Sequence, residues 1–224
     1  MPAPSPLRPE HFERLDETDD ELFYREARLV THIDDPAIEA LRRFYGGILP
    51  AGGAILDLMS SWVSHLPPEA IYSSVTGLGM NEEELAANPC LTAFVVQDLN
   101  RDPRLPFPDA DFGGGVATVS VQYLTNPVPV FAEVGRVLAP GAPFAVTFSN
   151  RCFPTKAIAI WRALNDRDHA TLVATYFRLS GAFEDALAYD LSPDPGRSDP
   201  LYAVVARALP LESRQPPAPP ALPP

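Results

Sequence analysis

The sequence predicts an α/β fold: a Rossmann-like, seven-stranded, mostly parallel sheet with helices on both faces and an antiparallel hairpin at one edge. Three observations predict it. From residue 54 onward, short apolar runs of strand length alternate with helical stretches at intervals of about 17 to 28 residues, which is a βαβ cadence. The runs are continuous rather than alternating, as strands covered on both faces require. The last two runs are joined by a turn-rich segment, as an antiparallel pair requires.

Taken in order, the chain opens with Pro2, Pro4, Pro6 and Pro9, and residues 1–10 read as a proline-rich tail. Residues 11–50 read as an amphipathic helical lid, broken at Asp34-Asp35-Pro36, where Asp35 can cap and Pro36 can take the first helical position. Ile38, Leu41 and Tyr45 recur at helical spacing, and Gly46-Gly47 are expected to stop that helix. Residues 51–209 form the main domain. Its strands are expected at 54–58, 71–76, 93–98, 116–121, 144–148, 186–191 and 201–207. Helices are expected at 61–66, 81–87, 128–138, most of 154–165, and 170–180. Residues 210–224 carry seven prolines and read as a second, polyproline-like tail.

Composition narrows the function classes. The 224 residues carry 17 Lys and Arg against 29 Asp and Glu, a net charge of −12 that repels phosphate backbones and disfavours nucleic acid as partner. Cys90 and Cys152 cannot build a disulfide framework, and no Cys/His spacing suits a metal. No apolar run of about 18 residues is present, so no integral membrane segment is expected, and a cytoplasmic location is the simplest expectation. An amphipathic basic helix for an anionic membrane is also lacking.

In an open α/β sheet, ligands bind beyond the carboxyl ends of the strands. The first predicted strand ends at Asp57 and runs into Met59-Ser60-Ser61; the second ends near Gly79-Met80; the third ends at Asp98-Leu99; the fourth ends at Ser120. Gly77-x-Gly79 lacks the third glycine of a dinucleotide fingerprint, and Ser60 or Ser61 with His65 lacks a nucleophile elbow. Glu82-Glu83-Glu84 follow Asn81 in a first helical turn, where they complement the helix dipole. Tyr24, Arg28 and His32 fall at i, i+4 and i+8, one helix face with aromatic, cationic and titratable groups in succession. His32 can act as a general base or sit on a solvated face. Arg151 in the loop after the fifth strand can hold an anion, and Cys152 is either a nucleophile, a packed thiol or a bystander. Gln122 at the fourth strand end can orient an acceptor.

Between residues 54 and 149 the sequence resembles the class I S-adenosylmethionine-dependent methyltransferases of the type 11 group. The resemblance rests on Val96-Gln97-Asp98-Leu99, Leu105-Pro106-Phe107-Pro108-Asp109-Ala110-Asp111-Phe112, the strand that follows, and Arg136-Val137-Leu138 before Pro140-Gly141. It implies S-adenosylmethionine as cofactor, with Asp98 accepting from the adenine amino group and the Leu99 N–H beside the ring. It also implies a first loop that approaches the methionine moiety through glycines, where this chain has Met59 and Ser61, and an acidic residue on the ribose, where it has Gly79. Asp57 either meets the cofactor amine or braces the loop. The expected activity is methyl transfer to a small molecule; the alternative is a repurposed relative that no longer holds the cofactor.

Overall fold

The computed structural model describes residues 7–216. Its seven strands, β1 (Ala54–Leu58), β2 (Ser74–Gly79), β3 (Ala93–Val96), β4 (Gly114–Thr118), β5 (Pro143–Phe148), β6 (Leu187–Asp190) and β7 (Tyr202–Arg207), form one sheet of order β3-β2-β1-β4-β5-β7-β6. The first five run parallel; β7 pairs antiparallel with β5 and β6. The strand order reverses between β1 and β4, which opens a crevice at their carboxyl ends.

Six α-helices are described: α1 (Asp20–Phe23), α2 (Asp35–Ile48), α3 (Glu82–Ala87), α4 (Pro127–Val137), α5 (Ala159–Ala163) and α6 (Asp166–Ser180). On one sheet face α4 and α6 pack Phe131 and Phe177 against Phe144, ring to ring, with Tyr176 against Phe131. On the other, α2 lays Ile38, Leu41 and Tyr45 over Ile55, Val116 and Ala145. Its cap is Asp34, whose carboxylate accepts from the Ala37 N–H at 3.0 Å, one residue earlier than expected. Gly46-Gly47 do not stop it, since buried Tyr45 and Leu49 hold its last turn on the sheet.

Two expected helices are missing. Residues 61–66, and the whole connection 59–73 between β1 and β2, form no helix. Met59 and His65 adopt left-handed backbones (φ 54° and 52°), and Pro67-Pro68 disfavour helical geometry just before them. Residues 10–33 are turns around the short α1 rather than one helix, because their polar side chains bond locally: Asp16 accepts from the Thr18 N–H and Asp19 from the Glu21 N–H. The segment expected to be mostly helical over 154–165 is helical only at α5. Strand β2 begins three residues late, leaving Ile71 at 81% exposure, and β4 begins two residues early, at Gly114.

Packed structure also extends past the span 11–209. Leu7 is buried, residues 9–12 make a 3-10 turn, and Arg214 donates to the carbonyls of Leu209, Arg136 and Leu138. The remainder of both expected tails lies outside the described residues.

A buried ion cluster ties the N-terminal segment to the sheet. Arg14 Nη1 donates to both carboxylate oxygens of Asp20, at 2.7 and 2.8 Å, and the same carboxylate meets the Asn100 amide at 2.9 Å and the Lys156 ammonium at 3.1 Å. Lys156 is fully buried and donates to the Thr18 carbonyl. At the two edges of the sheet, β3 leaves Phe94 and Val96 exposed and β6 leaves Leu187 and Tyr189 exposed.

Candidate functional site

One cleft lies beyond the carboxyl ends of β1, β2, β3 and β4, as the topology requires. Asp57, Met59, Ser60, Ser61, Gly79, Met80, Asp98, Leu99 and Ser120 line it, as do Tyr24, Arg28 and His32. The last three do not share a helix face. They are brought in by residues 24–33, a non-helical strap that crosses the cleft and is bonded to its far wall. The Asn81 amide donates to the carbonyls of Tyr24 and Arg25, the Arg28 N–H donates to Glu84 at 2.7 Å, and the Trp62 indole donates to the Val30 carbonyl at 2.9 Å.

Glu84 is therefore no solvated dipole partner. It is buried, and its second oxygen accepts from the Ser61 hydroxyl at 2.6 Å, so one carboxylate joins α3, the first loop and the strap. Glycine-free as it is, the first loop keeps a glycine-like path at Met59. Of the four non-glycine residues with left-handed backbones among those described, Met59, His65 and Val119 all line this cleft, and for a β-branched residue such as Val119 (φ 44°) the conformation is costly. Backbone strain is thus concentrated at the cleft.

Gly79 is fixed by close approach. The Ser60 N–H donates to the Leu78 carbonyl, which draws the loop across the end of β2, and a Cβ on Gly79 would sit 2.2 Å from the Ser60 carbonyl oxygen. The acidic ribose partner implied by the resemblance has no room there. Gly79→Ala is expected to displace the loop and cost about 1 to 3 kcal/mol as an overpacked site; chemical denaturation measures it, and an unchanged midpoint would contradict the contact.

Asp57 is buried at the base of the cleft. Burial pushes its carboxyl up to about 6, against the hydroxyls of Ser60, at 2.6 Å, and Ser64. His65, which also lines the cleft, is 5% exposed and pushed down to about 4 by burial, with Arg42 and His32 acting in the same sense. Among the described residues its Nδ1 has no hydrogen-bond partner, and neither does the buried Ser120 hydroxyl. Asp98 accepts from the Asn100 N–H at 2.8 Å in an Asx turn, and burial raises its carboxyl pKa.

A second cleft adjoins the first and shares His32, Val119, Tyr123 and Phe153 with it; Arg151 and Cys152 line it. Burial pushes the Cys152 thiol up, away from the thiolate a nucleophile needs. Gln122 lines neither cleft. Its side chain is fully buried and donates to the Val119 carbonyl, so the expectation that it orients an acceptor is corrected. The His65, Asn81 and Glu84 contributions were not assigned to the site from sequence, whereas Phe153 lies in the loop 150–156 after the fifth strand, which was expected to contact the acceptor. Only Asn81 carried a signal, its helix cap.

Residues 60–146 match the family model of the type 11 methyltransferase domain. Over that span the chain is similar to a methyltransferase domain. S-adenosylmethionine is the cofactor that this similarity implies, and methyl transfer the general activity. Solved structures share the fold. An S-adenosylmethionine-dependent methyltransferase from Aquifex aeolicus is 14% identical with a TM-score of 0.55, over 78% of this chain and 92% of that one. One from Mesorhizobium loti is 19% identical with a TM-score of 0.52, over 75% and 97%. The [4+2]-cyclase SpnF is 15% identical with a TM-score of 0.52, over 75% and 80%. No curated protein matches the chain.

The donor set fits the cofactor. Among the described residues, the backbone N–H groups of Ser61, Trp62 and Val63 have no hydrogen-bond partner, nor has that of Leu99. These are the groups that a carboxylate at one end and a purine edge at the other demand. Among the described residues no cluster of His, Cys, Asp and Glu could hold a metal, and no helix is long and apolar enough to cross a membrane.

Proposed function

We propose that the chain binds S-adenosylmethionine in the first cleft and transfers its methyl group to a small-molecule acceptor. The observation that carries this reading is the coincidence, in one cleft at the strand-order reversal, of unpartnered backbone donors, an uncommitted Ser120 hydroxyl and three strained residues. When bound, the cofactor supplies a methyl already activated on a sulfonium. Asp98 and the Leu99 N–H take the adenine edge; Ser61, Trp62 and Val63 offer N–H groups to the carboxylate; Asp57, through Ser60, holds the first loop in place. Met59 and Met80 supply apolar walls, and Gly79 leaves room for the loop rather than gripping the ribose. Tyr24, Arg28 and His32 close the cleft from the strap and exclude water. Most of the catalysis is alignment, since holding an acceptor atom in line at near-attack distance supplies much of the barrier reduction.

Calorimetric titration with S-adenosylmethionine and S-adenosylhomocysteine tests this reading. Asp98→Ala is expected to weaken both by about tenfold or more, the worth of a hydrogen bond to a charged group. Equal binding by the variant would remove Asp98 from the site, and no binding by the native chain would favour the repurposed relative. That second reading draws on one observation, the Ser60 carbonyl standing where the ribose-binding acid of the family belongs.

A further inference from the structure

The second cleft has a chemistry of its own. Its two carboxylates are spent: Asp34 accepts from the N–H groups of Ala37 and Asp199, while Asp199 accepts from the Asp34 N–H and the Arg151 Nε. Arg151 has Nη1 and Nη2 uncommitted and its side chain 62% exposed, so the donors left over at the rim are cationic. Deeper in, the walls are flat rings. Phe153 meets Tyr123 at a ring distance of 5.8 Å and an interplanar angle of 31°, and the His32 ring edge-on at 5.4 Å. His32 lines both clefts, and neither of its ring nitrogens has a hydrogen-bond partner among the described residues. An uncommitted imidazole at the junction of a cofactor cleft and a ring-lined cleft has the placement of a proton acceptor.

We infer that the second cleft takes a small hydroxylated aromatic acid, its carboxylate at Arg151, its ring against Phe153 and its hydroxyl at His32, which removes the hydroxyl proton. This deepens the proposed methyl transfer and rests on it. The hydroxyl O–H bond breaks and its proton goes to a His32 ring nitrogen. The oxygen forms a bond to the methyl carbon as the carbon–sulfur bond breaks, with that electron pair staying on the now neutral sulfur. His32 then returns the proton to solvent. The imidazole is suited to accept: burial lowers its pKa, Arg28 acts in the same sense and Glu84 opposes. Other ionisable groups lining the two clefts with it include Tyr24, Asp57, His65 and Tyr123 from the first and Asp34, Arg151, Cys152 and Asp199 from the second.

The test uses the full chain loaded with S-adenosylhomocysteine for binding and with S-adenosylmethionine for turnover, with 4-hydroxybenzoate and phenol as probes. By calorimetry 4-hydroxybenzoate is expected to bind more tightly than phenol, and Arg151→Gln to abolish that preference. In NMR spectra the His32 imidazole signals are expected to shift on addition of 4-hydroxybenzoate. His32→Gln is expected to lower kcat by about 10²-fold or more with KM little changed, and to remove a rise of kcat with pH whose midpoint lies below the ordinary histidine value. Failure of both probes to bind a chain that does bind S-adenosylhomocysteine overturns this inference and leaves the cofactor reading standing. An unchanged kcat and pH profile in His32→Gln overturns the role of His32. Failure of S-adenosylhomocysteine itself to bind overturns both.

Discussion

Asp20→Ala is expected to destabilise the chain by about 3 to 5 kcal/mol, the cost of leaving buried charges without their partner. The native carboxylate faces two cations, and both side chains that pair with it are nearly or fully buried: Arg14 is 8% exposed and Lys156 is 0%. Burial by itself raises the Asp20 pKa; the hydrogen bonds from Arg14, Asn100 and Lys156 outweigh it and hold the carboxyl below its ordinary value. By linkage, that stabilisation is present above the unfolded carboxylate pKa and lost as pH falls through the lower native one. The loss should be felt first between residues 14 and 32, whose attachment to β3 and β5 runs through this cluster. A lowered denaturation midpoint at unchanged slope, with faster proteolysis in that segment, is the expected pair of results. A cost under about 1 kcal/mol, the worth of a surface pair, would show that the cluster is solvated.

The second large effect is a cancellation. Asp57, raised to about 6, favours folding below its unfolded pKa of 3.8, and that contribution disappears as pH rises through 6. His65, lowered to about 4, favours folding above its unfolded value of 6.5, and that contribution disappears as pH falls through 4. Each swing is about 3 kcal/mol at 1.36 kcal/mol per pH unit, and their signs are opposite over the same window. The native pair therefore nearly compensates between pH 4 and pH 6.5. Asp57→Asn removes one partner, so the variant is expected to lose about 3 kcal/mol more than the native chain on acidification from pH 7 to pH 4. Denaturation curves at four pH values decide it, and parallel pH dependences would sink the assignment of either group.

The sheet was legible because its strands are apolar throughout: 54–58, 71–76, 93–98, 116–121 and 144–148 each overlap an observed strand, and the edge pair came from the turn between 191 and 201. The two missing helices were not legible. At 61–66 the sequence carries plausible helical spacing, and what defeats it is long-range: Ser61 is bonded to Glu84, Ser60 is pressed on Gly79, and two residues nearby take left-handed backbones. Likewise Tyr24, Arg28 and His32 reach the cleft for a reason that periodicity does not contain, the anchoring of a strap by Asn81, Glu84 and Trp62. Gln122 failed in the opposite way. Its position at a strand end suggested the cleft, but the tight turn after Val119 directs its amide inward, onto that residue's own carbonyl.

The two exposed edges of the sheet, β3 and β6, bear on the colloidal behaviour of the molecule. A strand that leaves backbone donors and acceptors unpaired beside exposed Phe94 and Val96 is a template for intermolecular pairing. At neutral pH, the charge of −12 keeps two such edges apart by mutual repulsion. That protection vanishes near the sequence pI of about 4.7, and salt screens it within a Debye length of about 8 Å at physiological ionic strength. Net charge therefore opposes edge-to-edge association, and the segments most open to it under acid or high salt are the four-residue strands at the two rims of the sheet.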